Sequence, residues 1–451
     1  MTITKTDHSS TKLFTSSFSE LQEARIKIEI LIKKAQSDEK PNFDYIKFNK
    51  EQIDLIDKLL EFKDPAIEEK ALEIMSTGNP LDYIIGVYNK LHVGDTYLGK
   101  IMLLSIASQS VTSSDGIQPK LTGLSGKGKT HAAKAIFHLI PDLGYKMMGS
   151  LSAKTLFYYP DLKPGTIIFA DDVKMSEDLD STLKQAMSNF QEPTTHRTVV
   201  KQEYGELTIP PRTVFWMTSV NTDFSDELIN RLYDLNVDES PETDEAVTNH
   251  RLERAGKGNE AYPITDEVKI CRAIIHIVKC NTFRVVIPYA KEFKWKGSRD
   301  RRNLNRFIDI IQGFAVLKFM QRTKVFENEI LASVEDFDDA KALYDATSLT
   351  QVTKLTKAER RLVEWLVSKG EAKTINEMVK EYLKDDGTKF TYTAIYKLFK
   401  GTRGKGGLLD KVPGLLKVEK NGEEAFKLDD FEESAVGSIV TLAPSAYEKY
   451  P

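Results

Sequence analysis

Residues 121 to 130 read Leu-Thr-Gly-Leu-Ser-Gly-Lys-Gly-Lys-Thr, which fits the spacing GxxxxGK[ST] from Gly123 to Thr130. The types suit phosphate. Gly123, Gly126 and Gly128 let the N–H groups of the loop, those of Ser125 and Lys127 included, wrap the oxygens, while Lys129 reaches the terminal phosphates and the Thr130 hydroxyl can ligate Mg²⁺. The stretch HAAKAIFHLI after it predicts a helix whose positive end faces the anion. Further on, Ile167 to Ala170 is an apolar run ending in Asp171 and Asp172, the form of a strand tip that delivers carboxylates beside the loop. Asp171 would orient Mg²⁺ through its water shell, and Asp172 would polarise an attacking water. A third run, TVFWMTSVN, ends in polar residues. If its strand lies between the other two, Asn221, or else Thr218 or Ser219, comes near the γ-phosphate to position water.

These residues need a sheet to hold them. IQPKLTGL, GTIIFADD and RTVFWMTS are β-branched or aromatic runs separated by polar helical stretches, the rhythm of an α/β domain with buried parallel strands from about 112 to 240. Residues 15 to 110 read as mostly helix: Phe18, Leu21, Ala24, Ile28, Leu31 and Ala35 recur at spacings of three and four, and Ile53, Ile56, Leu59 and Leu60 share a face. Asp64 before Pro65 marks a helix start, with Gly78 past its end. Residues 240 to 261 are charged and poor in apolar types and read as a loop or linker; helical patterns resume at 264 to 280 and 301 to 322.

Composition bounds the class. With 41% apolar and 29% charged residues the chain reads as a soluble multidomain protein, which excludes collagen, a disulfide-stapled mini-protein and a disordered chain. No apolar run reaches the roughly 18 residues of a membrane span, and the polar start MTITKTDHSSTK lacks a signal-peptide pattern, so a cytoplasmic location is expected. Cys271 and Cys280 support neither a disulfide framework nor a four-ligand zinc site. The formal charge of −4 disfavours a nucleic-acid-coating protein, but it hides a net +5 over 355–428 and −4 over 429–451.

The basic stretch has its own pattern. KAERRLVEWLVSKG puts Leu362, Trp365 and Leu366 on one helical face, TINEMVKEYLKDD and TYTAIYKLFKG read as a helix-turn-helix pair, and LLKVEKNGEEAFKL gives two strand-like runs around Asn421-Gly422. That is the order of a winged helix. Its third helix, with Tyr392, Tyr396, Lys397 and Lys400, would face duplex or forked DNA, extended by Arg403 and Lys405 in the loop GTRGKGG.

GLSGKGKT, GTIIFADDVKM, STLKQAMSNFQE, HRTVVKQEYGELTIPPRTVFWMTSVN and DELINRLYDL, in that order, resemble an AAA+ ATPase of the pre-sensor-1 hairpin group. The nearest likeness is to MCM-like replicative helicases of mobile elements, plasmids or viruses, and it spans roughly residues 80 to 320. Lys174-Met175 and Ala186-Met187 fit it. The resemblance implies ATP and Mg²⁺ as cofactors and a ring, a homo-hexamer with ATP sites between subunits. It places Arg231 as the arginine finger for the neighbouring subunit's ATP and Arg302, with Arg301 as alternate, at the sensor-2 position. RTVV, KQEYG and ELTI read as a hairpin with Gly205 in its turn; by resemblance this is the pre-sensor-1 hairpin, with Lys201 touching single-stranded DNA in the pore. Asp172 stands where the family usually has Glu.

The expected architecture is therefore a helical N-terminal domain (1–110), an α/β P-loop AAA+ core with a helical lid (111–325), a linker (326–354), a winged helix (355–428) and an acidic tail (429–451). Origin-binding initiators and ATP-dependent transcription activators share much of this plan, although the GAFTGA-type loop of the activators is absent from residues 131 to 171.

Overall fold

The computed structural model describes residues 13–14, 16–37, 42–123, 126–149, 151–159, 162–200, 203–219, 224–258, 262–296, 302–353, 357–383, 389–401, 407–412, 415–428 and 439–450. Local signals start the N-terminal helices. Ser17 and Glu20 form a capping box at the head of Phe18–Gln36, Asn42 caps Phe43–Leu60, and Asp64 accepts from Ala66 N while Pro65 fills the first turn of Pro65–Thr77. Pro80–Leu91 and Thr96–Ser108 complete the layer. On the first helix Ile32, four residues past Ile28, completes the buried stripe where Leu31 was expected. These helices have no core of their own: Leu21, Tyr88, Trp216, Ile274 and Tyr344 belong to one continuous apolar core, so packing does not break at 110.

The α/β core is built on strands β1 (Pro119–Thr122), β2 (Lys146–Met148), β3 (Ile167–Ala170), β4 (Thr194–Val200), β5 (Glu203–Ile209), β6 (Val214–Thr218) and β7 (Tyr233–Asn236). Five of them form a parallel sheet in the order β2-β3-β6-β1-β7. β3 and β6 are buried along their whole lengths, as apolar runs covered on both faces must be. β6 lies between β1 and β3, with Leu121 opposite Thr218 and Ala170 opposite Met217, so the polar tip of β6 is delivered between the phosphate loop and the acidic pair. β4 and β5 leave the sheet as an antiparallel hairpin. Val200 pairs with Glu203, so the chain reverses before Gly205; Gly205 itself pairs with Thr198 inside the strand and is not the turn residue.

The stretch 240–258 is mostly helix rather than loop. Ser240 caps a helix, Pro241–Gly256, with Pro in its first turn and Glu242 and Asp244 at its positive end. None of its residues is buried, so capping holds it without the apolar stripe that would have announced it. Nor is the stretch 326–353 a bare linker: the helix Val334–Thr353 buries Phe337, Ala340, Leu343 and Tyr344 against the helix Arg302–Leu317. Acidic residues between those positions masked their three- and four-residue spacing.

After the sheet the chain also forms the helix Asp266–Lys279 and strands β8 (Arg284–Val286), β9 (Phe293–Lys296), β10 (Lys324–Phe326) and β11 (Glu329–Leu331). Asp309, buried on the helix that begins at Arg302, accepts a hydrogen bond from Asp115 N (3.3 Å), and burial pushes its carboxyl up to about 7. Asn305 to Asp115 (2.9 Å) and Gln312 to Ser113 (3.0 Å) fasten the same helix to the segment before β1.

The C-terminal module has a separate core centred on Leu362, Met378, Phe399 and Phe426. Helices Lys357–Lys369, Ile375–Glu381 and Tyr392–Lys400 pack over a sheet ordered β12-β14-β13, with β12 Lys373–Thr374, β13 Leu416–Lys420 and β14 Glu423–Lys427. Asn421 (φ 54°) and Gly422 (φ 79°) both take the left-handed conformation that a two-residue hairpin turn needs. The last segment is more than an acidic tail: β15 (Ile439–Leu442) pairs antiparallel with β9, Val440 and Ala446 are buried, and Tyr447 donates to Asp338 (2.7 Å). Among the described residues no helix is long and apolar enough to cross a membrane.

Candidate functional site

The loop between β1 and the helix Lys129–Leu139 turns on glycines. Gly123, Gly126 and Gly128 have φ of 147°, 83° and 94°, and a Cβ at Gly123 would fall 2.5 Å from Val237 Cγ2 on the next segment. Lys129 is buried and its Nζ donates to Gly123 O at 2.7 Å, drawing the ammonium back across the mouth of the loop. Thr130 Oγ1 donates to Asp171 Oδ1 at 2.8 Å. Hydroxyl and carboxylate, brought together from two elements, form a hard-oxygen pair of the kind that holds Mg²⁺ with phosphate and water completing the shell. When bound, the ion would neutralise charge between the outer phosphates.

Thr218, at the tip of β6, organises the acidic pair. Its Oγ1 donates to Asp171 Oδ1 (2.5 Å) and accepts from Asp172 N (2.8 Å), while its carbonyl accepts from Val173 N (3.0 Å). Asp172 has φ 49°, a left-handed conformation costly for most L residues, and these two backbone hydrogen bonds hold it there. Its side chain is thereby exposed beside the loop. Of the three residues offered for the tip, Thr218 makes contact with Asp171. Ser219 N bonds to Leu121 O (3.3 Å), and Asn221 lies outside the described residues.

Ser125, Lys201, Arg301, Arg403 and Lys405 also lie outside the described residues. Arg302 is the first residue of its helix. Lys127 does not reach into the loop: its Nζ pairs with Asp244 Oδ2 at 2.5 Å, tying the loop to the helix Pro241–Gly256. Arg231 bonds to Ser188 Oγ (2.9 Å) and Glu227 O (2.7 Å), and the carbonyls on either side of it, Asn230 O and Leu232 O, accept from Arg306 at 2.7 and 2.9 Å. Nothing in the run SRDRRNLNRF singles out Arg306; its role depends on the helix Arg302–Leu317 meeting a loop far away in sequence. In the C-terminal module Tyr392 and Tyr396 are exposed with their rings stacked 6.3 Å apart, whereas Lys400 is paired with Glu424 at 2.6 Å. Lys397 lies on the same helix.

The sheet order, the glycine geometry and the Thr130–Asp171 contact agree with a comparison of sequences: residues 64–281 match the family model described as the MTBMA_p00010 P-loop domain. The chain carries a P-loop domain. Such domains generally bind nucleotide with Mg²⁺, and hydrolysis of a nucleoside triphosphate is the activity this one suggests. The match takes in the Pro65–Thr77, Pro80–Leu91 and Thr96–Ser108 helices as well as the sheet, in keeping with the single core they share. No curated protein matches the chain.

A group of residues beside the P-loop had no motif to announce it. His92, Asp95, His131, His250, Arg254 and Tyr262 line a cavity of about 300 Å³ that also touches Gly126, Lys127 and Gly128. The one signal within reach of sequence was His131, which directly follows Thr130.

Proposed function

We propose that the protein is an ATP-driven DNA helicase or translocase of the MCM-like AAA+ type, acting in replication of a mobile element, plasmid or virus as a homo-hexameric ring. The observation that carries this function is the β4–β5 hairpin, which leaves the chain between β3 and β6, the two strands whose tips hold Asp171 and Thr218. A projection that runs directly into β6, the strand whose tip holds Thr218, can move with the state of the nucleotide, and Lys201 falls in sequence between its strands. The order β2-β3-β6-β1-β7, with one strand between the loop strand and the acidic strand, supports the AAA+ assignment. Arg231, braced through its neighbours by Arg306, supplies the cation needed at a neighbouring subunit's γ-phosphate. The helices and three-stranded sheet of residues 357–428, with exposed Tyr392 and Tyr396, suit a winged helix on duplex or forked DNA.

Unwinding of a labelled fork with ATP, compared with binding in a non-hydrolysable analogue, tests this function. Strand separation only with hydrolysable ATP is expected; duplex binding without separation would instead favour an initiator. Sharing of sites has its own test. An equimolar mixture of Lys129→Ala and Arg231→Ala chains should recover part of the ATPase that each lacks, and no recovery would remove the ring with shared sites.

A further inference from the structure

A nucleotide whose phosphates rest on the P-loop must put its base in an adjoining space. The cavity of about 300 Å³ is lined by the loop itself, and it stands at the lower end of the size range of small-molecule pockets. Its walls come from the turn after Pro80–Leu91, the helix Pro241–Gly256 and Tyr262.

A chain of hydrogen bonds runs through the wall from Asp95 to His131. Asp95 Oδ1 accepts from Asp238 N (2.7 Å) and its Oδ2 lies 2.8 Å from His92 Nε2; a carboxylate only accepts, so His92 carries its proton on Nε2. With a single proton on the His92 ring, Nδ1 is a lone pair and His131 Nδ1, 2.8 Å away, donates to it. His131 Nε2 is left as an acceptor. Burial pushes the His131 imidazole down to about 4, so it is neutral at pH 7. Tyr262 OH stands 3.5 Å from that nitrogen but gives its single proton to Leu91 O (2.7 Å) and accepts from Arg254 (3.1 Å). His250 Nε2, also in the wall, is buried with no hydrogen-bond partner among the described residues. The cavity therefore presents the buried His250 Nε2, which has no partner among the described residues, and a His131 lone pair whose direction is set from Asp95.

We infer that the cavity takes the base of an adenine nucleotide and that His131 Nε2 accepts a hydrogen bond from its exocyclic amine, with Asp95 and His92 as the positioning residues. The inference rests on the P-loop as a nucleotide site. A 6-oxo base would set a carbonyl oxygen against the lone pair and leave both without a donor. The Arg254 guanidinium, 4.2 Å from the Tyr262 ring centroid, stiffens the wall on that side.

Competition of ATP, inosine triphosphate and inorganic tripolyphosphate against a fluorescent adenine nucleotide, on the full chain, tests this. The wild type should bind ATP at least about tenfold more tightly than inosine triphosphate. Asp95→Asn is nearly isosteric and suits the left-handed backbone at position 95 (φ 56°). Its oxygen can keep the Asp238 N bond while its NH₂ faces His92 Nε2, which reverses the chain and turns His131 Nε2 into a donor. Its preference should fall to unity or invert, and His131→Phe, which has no nitrogen, should abolish the preference. Equal wild-type affinity for ATP and inosine triphosphate, or an Asp95→Asn chain that keeps the full preference, would overturn the inference while leaving the P-loop assignment standing. A wild type that binds neither tripolyphosphate nor any nucleotide would refute the P-loop site, and this inference with it.

Discussion

The two ends of the nucleotide cleft are built on different principles. At the phosphate end, one stretch from Gly123 to Thr130 supplies the cradle, and two adjacent strand tips add Asp171 and Thr218. At the other end, His92, Asp95, His131, Arg254 and Tyr262 come from segments spread over some 170 residues and meet only because the helices carrying them pack around the loop. The phosphate end works through backbone groups, which demand glycine at fixed spacing whatever surrounds them. The far end works through side chains, whose positions any sufficiently packed wall could supply. Chemistry of charge belongs to the first end and discrimination between bases to the second, so substitutions at the two ends should separate rate from selectivity.

The largest effect belongs to the phosphate end. Lys129→Ala removes the buried cation that now bonds to Gly123 O, and ATP hydrolysis should fall about 10³-fold, as expected when a preorganised charge at a phosphoryl group is lost. Phosphate release measures it. A variant that kept a tenth of wild-type turnover would break the division of labour.

The helix that begins at Arg302 gives the comparison a third point, because it reaches the sheet through Asp309. Burial raises this carboxyl from its ordinary 3.8 to about 7, so the folded chain holds a proton there that the unfolded chain has released. The stability this contributes is complete below about pH 4 and is lost as pH rises through about 7. Between pH 5 and pH 8 the loss should be on the order of 2 kcal/mol. Asp309→Asn, which cannot ionise, should flatten the slope of urea-melt stability against pH; an unchanged slope would show that the helix is not held through a protonated Asp309.

Next in size is Thr218→Val, which keeps the shape of a buried residue but deletes the hydroxyl that bonds to Asp171 and Asp172 N. Asp172 N is then left without its partner and the left-handed backbone relaxes. Turnover should drop about tenfold with KM for ATP little changed, because the loop itself is untouched. A rise in KM without loss of kcat would move Thr218 from the acidic tip to ground-state binding.

How much was legible follows the same division. The P-loop was readable through the spacing of Gly123, Gly128, Lys129 and Thr130, and the acidic strand tip and the strand between them because each joins an uninterrupted apolar run to a short polar end. The helix Pro65–Thr77 was readable through Asp64-Pro65 and Gly78. Pro241–Gly256 was not, because it buries nothing and its signal is only a cap. Val334–Thr353 was hidden by the acids between Phe337 and Tyr344, and the docking of Ile439–Leu442 on β9 is a pairing between backbones that composition does not record. Gly205 misled because glycine marks turns only where a left-handed residue is needed; here it pairs with Thr198. His131 stood in plain view beside Thr130, but its meaning depends on His92 and Asp95, which only the packed fold supplies.

The smallest expected effect sits where the two ends meet. Lys127, inside the loop motif, pairs with Asp244 on the helix that walls the cavity, at 2.5 Å and with the Asp244 side chain about half exposed. Exposed pairs of this kind are typically worth about 0.2–1 kcal/mol. A double-mutant cycle on ATP affinity, with Lys127→Ala, Asp244→Ala and the pair, should therefore give a coupling under about 1 kcal/mol that shrinks as salt is raised. A larger, salt-insensitive coupling would mean that the wall helix and the loop bind nucleotide as one unit, and that the separation of rate from selectivity is incomplete. Loss of affinity from Lys127→Ala with no coupling to Asp244 would mean instead that Lys127 swings to the phosphates when nucleotide arrives.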